Sequence, residues 1–147
     1  MTVAALIEQY NTERPNNIED ALKVTWLRKC EQMIFNEITD SHTHDPLGHT
    51  ALSLSVQGST LYIQEAGQYE DHIAGFDLDT ELVVPEPYDG VYMFYLDQRI
   101  ALNQNDTRRY NAAATQYNNA LLQYQQYYNR MYDTNKHRKK MFRHQWL

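Results

Sequence analysis

The chain has 147 residues, enough for one hydrophobic core and too few for two comfortable domains. Its single cysteine, Cys30, leaves no intramolecular disulfide and fits a reducing compartment such as a cytoplasm. Thirteen Lys and Arg against nineteen Asp and Glu give a net charge of −6, the wrong sign for a free-standing DNA-binding domain. No apolar run approaches the roughly 18 residues of a membrane span, so no membrane partner is expected.

Met1 to Tyr10 has no basic stretch and carries Glu8, so a signal peptide is not expected there. Thr2 can cap a short helix with Val3, Leu6, Ile7 and Tyr10 on one face. Asn11 to Asn17 contains Pro15 and reads as a break. Asn17 is a candidate N-cap for a second helix, with Glu19 and Asp20 in the first turn where the dipole favours acid. That helix runs to about Thr39, with Leu22, Trp26, Leu27, Cys30, Met33, Ile34 and Ile38 spaced by three and four.

His42 to Gly48 is a loop by composition. Leu52, Leu54 and Val56 alternate with serines, Gln57-Gly58-Ser59 can turn, and Leu61 to Glu65 can return, which predicts a β-hairpin over about 50–66. Gly67 to Asp79 is polar and acidic and reads as irregular, with a short extended piece at Glu81 to Val84. Pro87 suits the first turn of a third helix, from about Tyr88 to Leu102. Asp106 can cap a fourth, from about Thr107 to Tyr132. The stripe of the fourth helix is Tyr110, Ala114, Tyr117, Leu121, Tyr124, Tyr128 and Met131, a heptad seam. The expected fold is mainly α: a bundle of about four helices in residues 1–135, a hairpin insertion between helices 2 and 3, and an extended C-terminal tail over 136–147.

Charge is unevenly placed. No Lys or Arg stands between Lys29 and Arg99, whereas residues 136–147 hold five bases and no acid. Residues 1–135 therefore carry −11 and the tail +5, a pattern of interaction more than of fold. The tail interleaves Lys136, Arg138, Lys139, Lys140 and Arg143 with Met141, Phe142, Trp146 and Leu147. Such a segment suits docking to a protein, with aromatic anchors and steering charges, or binding to nucleic acid or an acidic membrane surface, or it is merely a solubilising end. The tyrosine seam has two readings as well. It is this domain's own core, or, because Asn111, Gln116, Asn118, Asn119, Gln123, Gln125 and Gln126 flank it without charge, part of it faces another copy.

Catalytic patterns are weak. His42, His44 and His49 with Asp40 and Asp45 could ligate zinc, but the spacing matches no metallo-hydrolase motif and no second ligand cluster follows. Asp77, Asp79, Glu81, Glu86 and Asp89 could offer paired carboxylates. An EF-hand starting at Asp77 would need Gly and Glu where Leu82 and Tyr88 stand. A solvated acidic face is the simpler account. Cys30 lies on an apolar helix face, and no nucleophile elbow, phosphate-cradling glycine loop or dinucleotide fingerprint is present. Neither enzyme activity nor a cofactor is expected.

Three segments together carry a resemblance: Ile7 to Asn17 (IEQYNTERPNN), Glu81 to Tyr95 (ELVVPEPYDGVYMFY) and Arg109 to Arg130 (RYNAAATQYNNALLQYQQYYNR). In this order they resemble the head–tail connector proteins of long-tailed phages of Gram-positive bacteria. The resemblance covers both ends of the chain and leaves about Thr43 to Gly75 unmatched. It implies a non-enzymatic, helical adaptor of the virion neck, assembled in the host cytoplasm as a homo-dodecameric ring below the portal protein. Such a ring extends the DNA channel toward the stopper and tail, and DNA passes through without sequence-specific binding. By the same resemblance, Lys136 to Leu147 would dock against the portal. Tyr110, Tyr117, Leu121, Tyr124, Tyr128 and Met131 would then build the bundle and part of the ring contact. The acidic middle would face the channel or the stopper. A stopper or tail-completion protein of the same neck, and a small metal-binding enzyme using His42, His44 and His49, are the alternatives.

Overall fold

A computed structural model describes residues 1–39 and 71–132. The described part is mainly helical: α1 (Val3–Glu13), α2 (Asp20–Ile34), α3 (Gly90–Asn103) and α4 (Thr107–Met131). A π-helical turn, Phe35–Thr39, continues α2 and carries Ile38 into the core. Among the described residues the extended contact is a single β-bridge, Thr2 to Glu81. The hairpin expected over about 50–66 lies outside the described residues. No described helix is long and apolar enough to cross a membrane.

Local chemistry caps two of the four helix N-termini. The Thr2 hydroxyl accepts a hydrogen bond from the Ala5 N–H at 3.2 Å, and the Asp106 carboxylate accepts one from the Arg109 N–H at 3.1 Å. The α1 terminus is also closed by the chain that returns past it. Val3 and Ala4 donate their N–H groups to the carbonyls of Thr80 and Leu78, both at 2.9 Å.

Two expected boundaries shift. The N-cap position of α2 is Glu19, not Asn17, and no side chain caps it. The turn is organised one residue earlier, where Asn16 Oδ1 accepts from the Ile18 N–H at 3.0 Å and Asn16 Nδ2 donates to the Arg14 carbonyl at 2.9 Å. Pro87 precedes the third helix instead of entering it. It follows a cis bond to Glu86, and the Tyr88 N–H closes a turn on the Pro85 carbonyl at 2.9 Å, so α3 begins at Gly90. Within the stretch expected to be irregular, residues 71–74 form a helical turn.

The most extensive packing joins α3 to α4, with α2 against α3 and α1 against α2. Leu6, Leu27, Ile34, Leu82, Leu96 and Tyr92 are fully buried in one core. Each aliphatic side chain so placed stabilises by roughly 1.5–3 kcal/mol relative to exposure. The tyrosine seam of α4 is the other half of that core. Tyr117, Tyr124 and Tyr128 are buried, and Tyr110, Leu121 and Met131 are half-buried. Ala113 is buried where the heptad count expected Ala114, since a straight helix drifts against a strict seven-residue repeat. Ring contacts knit the seam: Tyr95 to Tyr117 at 5.5 Å, Tyr124 to Tyr128 at 5.8 Å and Tyr128 to Tyr132 at 4.6 Å between centroids. Contacts of this kind add about 0.5–1.5 kcal/mol each beyond area burial.

Candidate functional site

Two polar assemblies stand out on this scaffold. The first is closed. Glu31 projects from α2 into the core with its side chain 1 % exposed. Tyr92 of α3 donates its hydroxyl to Glu31 Oε1, and the Val83 N–H donates to Oε2 at 3.2 Å. His72 Nε2 lies 2.8 Å from the same Oε2, and facing a carboxylate it is the N–H donor. The Tyr92 oxygen in turn accepts from the Val84 N–H at 3.0 Å. Four elements of the chain thus meet on one carboxylate. Burial, and then the nearby Glu31 charge, push the Tyr92 hydroxyl and the Cys30 thiol well above their usual pKa values. Cys30 is therefore held as an unreactive thiol, as its apolar helix face predicts.

The second assembly is open. A cleft of about 320 Å³ runs between the end of α1, α3 and the start of α4, lined by Tyr10, Arg14, Pro15, Asn16, Asp97 and Arg109 among others. Asp97 lines it from α3. The Tyr10 hydroxyl donates to Asp97 Oδ1 at 2.7 Å, and Arg14 Nε lies 3.0 Å from the same oxygen. The Arg14 guanidinium also stands over the Tyr10 ring, 5.6 Å from its centroid. Burial raises the Asp97 carboxyl above the usual carboxylate range, while the Tyr10 hydrogen bond, Arg14 and Arg109 pull it down less strongly. Behind the cleft Lys23 is buried, with its ammonium 2.5 Å from Asn11 Oδ1 and 3.4 Å from Asp20 Oδ1.

The sequence-predicted sites fall differently. Cys30 is buried as expected, in contact with Tyr117. In the acidic middle, burial and then the nearby Glu86 charge raise the Asp89 carboxyl above its ordinary value. Asp77 Oδ1 accepts from the Asp79 N–H at 2.9 Å inside a turn, and Glu81 receives the Met1 ammonium at 3.2 Å. Among the described residues no three His, Cys, Asp or Glu side chains are placed to hold a metal ion. His42, His44 and His49, and the tail residues Lys136 to Leu147, lie outside the described residues.

Sequence reasoning missed Glu31 and Asp97. A signal for Glu31 was present, since it stands four residues after Leu27 and three before Ile34, an acid on the apolar face of α2. Asp97 sits between Leu96 and Ile100 on α3 with no comparable mark. The chain matches no protein-family model, no curated protein and no solved structure.

Proposed function

We propose that this chain is a structural, ring-forming head–tail adaptor of a phage neck, seated below the portal and joining capsid to tail. The observation that carries the proposal is the convergence of the segments that resemble the connector family. Tyr10, Arg14, Pro15 and Asn16 of the first segment share one cleft with Arg109 of the third. Arg130 of the third donates to the Tyr88 hydroxyl of the second at 3.5 Å. Residues far apart in sequence thus serve one helical framework, with Asp97 of α3 between the first and third segments.

The division of labour follows from burial. Tyr117, Tyr124 and Tyr128 hold the protomer together from inside. Part of the contact between copies then falls to the outer face of α4, where Gln116, Asn119, Gln123 and Gln126 are exposed beside Leu122. Uncharged polar groups lose less on burial against a neighbour than Lys or Glu would. Lys136 to Leu147 is the portal-docking segment, its bases steering and Phe142 and Trp146 anchoring. An acidic channel wall would let DNA slide, since phosphates are held where Lys and Arg neutralise them.

The test is the native mass of the chain alone and mixed with its portal protein, with and without residues 136–147. A portal-bound ring that is lost on removing the tail supports the adaptor. Binding to a tail terminator in place of portal supports the stopper. A chain that ignores both sinks the proposal, and stoichiometric zinc in such a chain would turn attention to His42, His44 and His49.

A further inference from the structure

We propose that the Arg14–Arg109 cleft of one copy receives the Asp77-Leu78-Asp79 turn of the next, and that this head-to-tail contact closes the ring. The contact presupposes the ring proposed above and names the surfaces that make it.

The cleft is built to take an acidic ligand with an apolar side chain. Its walls are Tyr10, Pro15 and Ile100, and its cations are Arg14 and Arg109. Arg14 is spent on Asp97 through Nε at 3.0 Å and on Glu13 through Nη1 at 3.4 Å. Arg109 is exposed, and no described residue accepts a hydrogen bond from its side chain. With Arg14 paired to both carboxylates, Arg109 is the guanidinium this cleft offers to an acid from outside, in a body that carries −11 over residues 1–135. Its volume of about 320 Å³ has room for on the order of ten waters, hence for side chains from outside.

The complementary knob is on the same chain. Leu78 is 47 % exposed, between the exposed Asp77 and Asp79. The turn that presents it is fixed before any partner arrives. The Asp77 N–H donates to Thr80 Oγ1 at 2.8 Å, the Asp79 N–H donates to Asp77 Oδ1 at 2.9 Å, and the Leu78 carbonyl accepts from Ala4 at 2.9 Å. No described residue donates to the Asp79 carboxylate. A preorganised leucine flanked by carboxylates loses little freedom on docking.

Geometry makes the occupant a second copy. The knob is anchored at the first turn of α1 and the cleft opens at its last. An 11-residue helix separates them by about 16 Å along its axis. One copy therefore cannot fill its own cleft with its own knob. Each copy offers one of each at opposite ends, which is the heterologous arrangement that closes into rings. Two bodies of like charge also repel, so a contact between them needs opposite charges brought together locally.

The experiment uses the full chain on portal, read by native mass, with Arg109→Asp and Asp79→Arg. Both positions are exposed, and matching thermal unfolding curves verify that each variant folds. Each variant alone is expected to need about tenfold more protein than wild type for half assembly, because like charges now face each other. An equimolar mixture is expected to recover wild-type assembly. In an alternating ring every altered cleft meets an altered knob and every native cleft a native one. If both variants assemble as wild type does, or fail and are not rescued by mixing, the contact is overturned while the ring stands. If wild type forms no ring, alone or on portal, both the contact and the adaptor proposal fall.

Discussion

Two carboxylates in this protein, Glu31 and Asp97, each bind a tyrosine hydroxyl and a cationic or cationisable side chain, yet they do different work. Glu31 is 1 % exposed and all its partners come from inside the fold. Asp97 is 20 % exposed, and its partners line an open cleft. The Glu31 network ties α2 to α3 and to the chain at 72–84. The Asp97 network leaves Arg109 without an acceptor among the described residues and faces solvent. Similar donors around a carboxylate thus make a rivet in one place and a receptor in the other. Enclosure, not residue type, decides between them.

The comparison breaks first if Glu31 can be removed cheaply. Glu31→Ala strands the Tyr92 hydroxyl and the Val83 N–H in the core and opens a cavity. The expected cost is about 3 kcal/mol, a large part of the total stability of an ordinary domain. Urea unfolding followed by circular dichroism measures it. Glu31→Gln keeps the shape and one acceptor and should cost about half as much. A change under about 0.5 kcal/mol for Glu31→Ala would remove its structural role.

Much of this scaffold is legible in the sequence, and the reason is locality. Thr2 and Asp106 cap helices through bonds three residues away, so their types suffice to find them. The tyrosine seam follows from spacing alone. Asn17 misleads because Asn16 is an equally good turn former, and only the path of the backbone chooses between them. Pro87 misleads because Pro85 sits two residues before it and takes the chain into a turn first. The two networks are less legible still. Glu31 meets residues 41 to 61 positions away, and Tyr10 meets Asp97 at a separation of 87. No local pattern encodes such pairs. The acid on the apolar face of α2 marks that something must meet it, and leaves the partner unnamed.

Asp97 sharpens the contrast through pH. Asp97→Asn weakens the tie to Arg14 and Tyr10, a partly exposed interaction worth about 1 kcal/mol. Because burial raises its folded-state pKa, the wild-type carboxyl holds its proton more tightly folded than unfolded. Its stabilising contribution is therefore full below the ordinary value of 3.8 and fades as pH rises through the raised one. Asparagine does not titrate. The stability gap between wild type and Asp97→Asn should thus narrow over the pH range that rises from 3.8, measured by urea midpoints at fixed ionic strength. A gap that widens over that range would mean that Arg14 and Arg109 outweigh burial, and that the cleft is as tightly paired as the core.

Arg109 is the limiting case, and it separates a fold from a function most cleanly. It stands at the third position of α4, exposed, with its backbone N–H already used by the Asp106 cap. Arg109→Ala leaves that backbone bond in place and substitutes the best helix former. Its remaining effect on the protomer is a long-range attraction to Asp97, screened by solvent. Urea unfolding should therefore place Arg109→Ala within about 0.5 kcal/mol of wild type. A larger loss would show that Arg109 closes the cleft from within and has no charge to offer a neighbour. An unchanged protomer leaves the guanidinium as a group this fold carries and does not need, which is the condition for a residue that serves assembly.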